Sequence, residues 1–321
     1  MRALPFVVLA FVVTLTAALV GVVTAPSAVP GIPNSPAAVG VGISVLRGVF
    51  YLAALVLLGV HLLPALRAAK AGTQPIAACA ALILGASALG QLVLQSADFR
   101  PERPVTLASI GEYVALVDAG KAQVFLFALA VALAVLAVLD ARRGGGIAPT
   151  LPLLLSGATV LVLPLVGHAI DQPDWRGRLG IVAMELHVLG ALVWTGGLLA
   201  VLFSARDPAA VVLDRFSTVA GICLALVAVT GVCFGLLQLD AVPGIPWYIA
   251  LFRNDYGLLL CAKLVCALAL SGIGTAMRYR VLPGVLSGAR GGFARLAVVE
   301  LAVMGLAIGF AVVLTRTPLQ Q

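Results

Sequence analysis

The chain has 321 residues, of which 62% are hydrophobic and only 10% are charged, and its formal net charge is +7. Soluble domains carry about 25% charged residues, so this composition excludes a soluble protein and predicts an integral membrane protein. Retention of Lys and Arg on the cytoplasmic side of a membrane explains the positive charge without a nucleic-acid partner. The cysteines all fall within apolar runs, which indicates buried thiols and not a disulfide framework.

Nine apolar runs, each near the length that crosses a bilayer, follow one another along the chain. They predict an all-α fold, a polytopic transmembrane helix bundle that forms one membrane domain over residues 1–321. The first run, 4–23, could instead be a signal peptide, but the apolar core of such a peptide has only about 7–15 residues, so we interpret the run as an uncleaved helix. The later runs are 43–66, 75–94, 122–139, 151–169, 179–203, 219–239, 258–277 and 296–314.

The orientation of the bundle follows from the basic residues between the runs. If the helices simply alternate in direction, most of the Arg and Lys side chains near the span ends fall on one side, which should be cytoplasmic. The amino terminus is then cytoplasmic, and the carboxyl terminus lies on the outer side. The basic residues of the cytoplasmic side are Arg2, Arg67, Lys70, Arg142, Arg143, Arg206, Arg215, Arg278, Arg280, Arg290 and Arg295.

A weak internal repeat relates residues 90–142 to residues 231–278. In each segment an apolar helix leads into an outer loop with aromatic residues, and a second apolar helix follows. Both segments cross the membrane in the same direction, so the repeat is of the parallel type found in some transporters. Chance similarity between apolar helices is the alternative explanation.

Two of the three histidines lie on either side of one short connection. His168 ends the run 151–169, and His187 lies within the run 179–203, so we expect both imidazoles near the outer face. Ionisable residues in lipid indicate function. Met184 and Trp194 share the helix face of His187, and an imidazole pair with a thioether suits copper, especially Cu(I). The alternative is that each histidine only hydrogen-bonds a neighbouring helix.

Glu185 and Lys263 are further ionisable residues within the apolar runs. We expect Glu185 to lie at the outer interface and to pair with Arg176 or Arg178. Lys263 is expected to reach outward or to pair with a carboxylate such as that of Asp255. Both side chains are candidates for a transport path.

His61 and Glu300 are expected at the same depth near the inner side of the membrane, where they could form a second polar station on that path. Trp194 is predicted to pack, and Gly196 and Gly197 to let two helices approach closely. The sequence contains no phosphate loop, paired zinc spacing or nucleophile elbow, so we predict a transporter-like protein and not an enzyme.

The second half of the chain, about residues 157–318, resembles the copper resistance D (CopD) family of bacterial inner-membrane proteins. The first half resembles only the general helical layout of that family. The resemblance rests on short motifs in the right order: Gly167-His168-Ala169, Leu186-His187, Val193-Trp194-Thr195-Gly196-Gly197-Leu198, Arg215-Phe216-Ser217, Val229-Thr230-Gly231-Val232, Tyr256-Gly257, Lys263, Glu300 and Leu314-Thr315-Arg316-Thr317-Pro318.

The resemblance implies copper transport or delivery across the bacterial plasma (inner) membrane, as part of copper homeostasis. His168 and His187 match the family's histidine positions, and Trp194, Gly196 and Gly197 match its tryptophan-glycine motif. It also implies a periplasmic CopC-like copper-binding partner and a CtaG-like assembly protein. Methionine-rich outer loops are missing from this sequence, which argues against a high-capacity copper store.

Two other functions remain open from the sequence. Imidazole is a common axial ligand of haem iron, so His168 and His187 could instead hold haem b in a membrane redox protein. The chain could also be a non-catalytic assembly or scaffold subunit linked to cytochrome oxidase maturation.

Overall fold

The computed structural model describes residues 36–68, 72–162, 175–204, 210–240, 244–286 and 292–314. Within these ranges the chain is helical and has no strands, which confirms the all-α prediction. All of the cysteines lie in these ranges and are free. Cys223 and Cys266 are buried as predicted, Cys233 and Cys261 are half-buried, and Cys79 is exposed, against the prediction. The predicted first span, residues 4–23, lies outside the described residues, and so does His168.

The helices are numbered in chain order over the described residues. The N-terminal half contains α1 (Ala37–Leu62), α2 (Gln74–Phe99), α3 (Leu107–Leu116), α4 (Asp118–Arg142) and α5 (Thr150–Leu161). The C-terminal half contains α6 (Trp175–Ser204), α7 (Ala210–Asp240), α8 (Trp247–Arg253), α9 (Asp255–Ala276), α10 (Leu282–Leu286) and α11 (Gly292–Leu314). A π-helical turn, Met277–Val281, joins α9 to α10.

Seven of the described helical segments are long and apolar enough to cross a membrane. They correspond to seven of the nine predicted spans. Of the other two, residues 4–23 are not described, and the run 151–169 is described only as far as residue 162, where α5 has just ended. The multi-pass bundle is therefore confirmed for the part of the chain that can be compared.

Helix α6 connects the two halves of the bundle. On one side it packs against α1 and adds Leu192 to a core formed mainly by α1, α2 and α4. On the other side it packs against α7 and α11, where Trp194, Leu198 and Val201 belong to a second core. Functional side chains on α6 can therefore meet residues from both halves.

The backbones of α1 and α6 touch at a pair of glycines. A Cβ atom on Gly196 would collide with the carbonyl oxygen of Leu55 and would lie 3.2 Å from the amide nitrogen of Gly59. A Cβ atom on Gly59 would in turn collide with the carbonyl oxygen of Gly196. Small residues permit such an approach between membrane helices. Next to this contact, a Cβ atom on Gly197 would lie 2.9 Å from side-chain atoms of Leu62 and Phe216.

One end of the bundle, called here the arginine-rich end, is held together by cationic side chains. The Arg215 guanidinium donates to the carbonyl oxygen of Ala65 at 3.2 Å, and Arg278 forms an ion pair with Asp214 at 2.9 Å. The arginine-rich end also contains the helix-end residues Arg67, Arg142, Arg143 and Arg280. Other basic residues, Arg100, Arg103, Arg176, Arg178 and Arg253, lie near the opposite end, so the orientation in the membrane stays a prediction.

The two copies of the predicted repeat share a local backbone arrangement. Short helices α3 and α8 each end at one extended residue, Val117 and Asn254, and a long helix starts immediately afterwards. Gly120 and Gly257, each the third residue of that long helix, lie against the preceding short helix. A Cβ atom on Gly120 would lie 2.9 Å from the Val114 Cα atom. The two segments thus share the bend between a short and a long helix as well as the order of their helices. That they arose by duplication stays a prediction.

We expect Gly196→Ala to destabilise the protein by about 1–3 kcal/mol, because an added methyl group would force apart two backbones in contact. The midpoint of thermal unfolding of the purified protein in detergent measures this effect. Gly272→Ala in α9 is the matched control, because a Cβ atom there meets no other atom within 4 Å. Equal unfolding temperatures for the two variants would contradict the proposed contact.

Candidate functional site

His187 lies near the middle of α6. The described part of the helix begins at Trp175, four residues before the apolar run, and its first turn includes Arg176, which pairs with Asp240 at 2.8 Å. His187 is about 4 Å along the axis from the midpoint of this described part. Its depth near the outer face of the membrane stays a prediction.

The imidazole of His187 is held by three residues of α7. Its Nδ1 atom is 3.0 Å from the Val227 carbonyl oxygen, which can only accept, so Nδ1 carries the hydrogen. The Thr230 hydroxyl donates to the Leu226 carbonyl at 2.6 Å and lies 3.4 Å from the same Nδ1. A Cβ atom on Gly231 would lie only 2.9 Å from the Cε1 atom of His187. The ring thus has one orientation and one tautomer.

This arrangement leaves the other ring nitrogen, Nε2, as a lone-pair donor. In neutral imidazole one nitrogen donates a hydrogen bond and the other accepts or binds a metal. Among the described residues Nε2 of His187 has no hydrogen-bond partner. A backbone carbonyl that accepts from the distal ring nitrogen is the usual support of a metal-binding histidine. The geometry therefore suits metal ligation through Nε2.

Met184 and Lys263 are the predicted site residues that have a geometric or electrostatic relation to His187. Met184 lies one turn before His187 on the same face of α6. Lys263 on α9 acts electrostatically on His187, and no carboxylate in the described ranges pairs with it, so the expected ion pair with Asp255 is not present.

Glu185 does not take part in the expected ion pair. Arg176 binds Asp240 across the α6–α7 contact, and within the described residues Glu185 forms no ion pair with Arg178 either. Glu185 is two residues from His187, about 200° around the helix, so its carboxylate belongs to a different face. It is separated from the histidine site.

Glu300 and Trp194 meet in the second core. The Trp194 indole N–H donates to the Glu300 Oε1 atom at 2.8 Å, and both side chains are buried. One residue further along α6, the Thr195 hydroxyl lies 3.4 Å from the Met304 sulfur. Trp194 therefore packs in the core and also binds the buried carboxylate of the last helix. The sequence motif gave no sign of this partnership.

His61 and Glu300 have separate partners. The Ser156 hydroxyl donates to the Pro152 carbonyl at 2.8 Å, so the hydrogen of the 2.8 Å contact between His61 Nδ1 and Ser156 Oγ belongs to the imidazole. His61 lines a pocket at the arginine-rich end together with Gln74 and Asp140. No described contact joins this pocket to Glu300, so the two residues do not form one station.

Asp140 is a site candidate that the sequence analysis missed. It is buried, and its Oδ1 atom accepts a hydrogen bond from the Ile147 amide at 3.0 Å. Its Oδ2 atom lies 3.5 Å from the Gln74 amide nitrogen. The available signal was an acidic residue directly after the apolar run 122–139, two residues before Arg142.

A buried polar network in the N-terminal half was also missed. The Gln95 side-chain oxygen accepts from the Tyr113 hydroxyl at 2.8 Å and from the Gln123 amide at 2.9 Å. Burial, with a further contribution from Asp98, raises the pKa of Tyr113 to about 12, so its hydroxyl remains a donor at neutral pH. Polar residues inside apolar runs were the signal. This network ties α3 over the ends of α2 and α4.

The described residues do not bring together a complete metal cluster. Within the described ranges no three His, Cys, Asp or Glu side chains converge in a way that could hold a metal ion. The candidate site consists there of His187 with Met184 on the same helix face. His168, predicted as the second imidazole, lies outside the described residues.

We expect Trp194→Phe to destabilise the protein by about 1–3 kcal/mol, because it leaves a buried carboxylate without its hydrogen-bond donor. Thermal unfolding measures this cost. In a Glu300→Leu background the same substitution should cost clearly less, since no carboxylate remains to be satisfied. An identical loss in both backgrounds would show that Trp194 contributes packing alone.

Two segments of the chain match known protein families. Residues 36–178 match the model described as copper resistance protein D-like, N-terminal domain, and residues 210–314 match copper resistance protein D. No curated protein and no solved structure matches the chain. The two matched segments lie on either side of most of α6 and cover both halves of the bundle. The protein is a multi-pass membrane protein that belongs to the copper resistance D family.

Proposed function

We propose that this protein transports or delivers copper through the bacterial plasma membrane, with His187 as a ligand of the moving ion. Membership of the copper resistance D family supports a role in copper resistance. The observation that carries the proposal is the orientation of His187, whose Nδ1 hydrogen bond to the Val227 carbonyl leaves Nε2 available. Copper is the cargo here, and the protein acts as a transporter and not as an enzyme.

In this proposal copper moves by ligand exchange. His168 supplies the second imidazole, and Met184 supplies a thioether one turn from His187. A CopC-like protein on the periplasmic side hands over the ion, and a CtaG-like assembly protein is a candidate recipient. Imidazole and thioether groups both bind copper, and the thioether favours Cu⁺.

The haem alternative gains no support from the described contacts. Two axial imidazoles would have to be His187 and His168, and the second of these lies outside the described residues. The scaffold alternative predicts neither bound copper nor copper-dependent growth. Absorption spectroscopy and metal analysis of the same purified sample separate the three functions, because only haem gives a Soret band.

We expect His187→Ala to lower the copper bound by the purified protein and the copper accumulated by cells that express it. The loss of affinity should reach at least the 10–100-fold that is typical when only the orienting partner of a metal ligand is removed. Metal analysis of protein loaded with Cu⁺ measures binding. Thr218→Ala, on the exposed surface of α7, is the control. Copper content equal to that of the wild type would show that His187 is not a copper ligand.

Gly231→Ala tests the orientation of the ring without removing a ligand. Its Cβ atom would displace the His187 imidazole, so we expect copper binding to weaken about 10-fold, as for other changes in the support of a metal ligand. Gly221→Ala on the same helix is the matched control, because its Cβ atom would meet nothing within 4 Å. Equal copper affinity for the two alanine variants would show that the ring position does not matter.

A further inference from the structure

The contact between α6 and α11 contains two donor atoms that suit a soft cation. Glu300 and Met304 lie one turn apart on α11 and face Trp194 and Thr195 of α6. All four side chains are buried, with Glu300 3% and Met304 4% exposed. The sequence analysis assigned no role to Met304. We name these four residues the α6–α11 cluster.

The carboxylate of Glu300 is only partly satisfied within this cluster. An ionised carboxylate offers about four lone-pair sites to donors or cations. Among the described residues, the Trp194 N–H at 2.8 Å is the hydrogen-bond donor that reaches it. No Lys or Arg side chain in the described ranges forms an ion pair with Glu300, so no protein cation balances this side chain when it is ionised. A cation beside Glu300 would complete its coordination.

The sulfur of Met304 keeps its lone pairs for a ligand. The Thr195 hydroxyl has one hydrogen, and its contact with the Ala191 carbonyl oxygen, at 2.7 Å, is much shorter than the 3.4 Å contact with the Met304 sulfur. The hydrogen therefore belongs mainly to the Ala191 carbonyl. The Thr195 oxygen then contacts the thioether sulfur only weakly, and the sulfur lone pairs remain available to a cation.

We propose that Glu300 and Met304 form a binding station for Cu⁺ between α6 and α11. This inference rests on the proposed function and adds a second site to the path that contains His187. A thioether selects Cu⁺ over harder ions. One carboxylate neutralises one monovalent cation, whereas Cu²⁺ would leave an uncompensated positive charge in a buried site.

The position of the cluster places it after His187 on the path toward the arginine-rich end. Trp194 is seven residues after His187, which is two helical turns, or about 10 Å, along the same face of α6. An ion that leaves Nε2 of His187 meets the Met304 sulfur and then the Glu300 carboxylate. The ion enters and leaves as Cu⁺, so the step needs no electron donor or acceptor.

The test is the stoichiometry of Cu⁺ bound by the purified full chain in detergent, measured against a coloured Cu⁺ chelator, with Ag⁺ as a redox-inert probe. Met304→Leu conserves side-chain volume, and Glu300→Gln keeps an oxygen that can accept from Trp194. Each should lower the stoichiometry by about one ion per chain. Met277→Leu, in the π-helical turn, is the methionine control and should bind as the wild type does.

X-ray absorption at the copper edge adds a readout that packing alone would not change. Met304→Leu should remove a sulfur neighbour of bound copper, and Met277→Leu should not. An unchanged stoichiometry and an unchanged sulfur signal in Met304→Leu would overturn this inference, even where His187→Ala loses copper. If Met304→Leu loses an ion while His187→Ala keeps the wild-type stoichiometry, the station stands and the histidine site fails. Absence of Cu⁺ from the wild type would overturn both.

Discussion

The backbone contact between Gly59 on α1 and Gly196 on α6 is the constraint on which the rest of the bundle depends. Lipid offers no hydrophobic driving force between helices, so close packing must hold them together. This contact joins the N-terminal half, whose core is built on α1, α2 and α4, to the helix that carries His187 and Trp194. Because α6 is fixed on one side by glycine, its opposite side can present polar groups to α7 and α11.

The polar residues of the bundle show how a membrane protein accommodates costly groups. His187 is held by backbone and hydroxyl groups of α7, Glu300 by an indole, and His61 by a serine. His187 and Glu300 are each paired through one atom and retain a second polar atom that could bind a ligand. Most of α6 lies outside both segments that match the family, yet it carries His187 and Trp194. Helix α6, between the two matched segments, therefore carries the candidate ligand His187.

The sequence predicted the helical class and seven spans that can be compared with the structure, because apolar length depends only on local composition. It did not predict that Arg176 pairs with Asp240, far along the chain. Nor did it predict that Trp194 binds Glu300. Helices that are apolar on all faces have little periodicity, so the sequence does not indicate which side chains will meet. Asp140 and the Gln95 network were missed for the same reason.

The glycine contact also bears on how the helices can move relative to one another. The backbones of α1 and α6 are in direct contact at Gly59 and Gly196, with no side chain between them at that point. The spans that contain α7 and α9 are less buried in the bundle than α6. In each of those two spans 17% of the most apolar stretch is buried, compared with 44% in α6. Alternating access in transporters arises when one group of helices rocks against another. Under the proposed transport function, a route to His187 would open by motion of α7 and α9 against the α1–α6 pair.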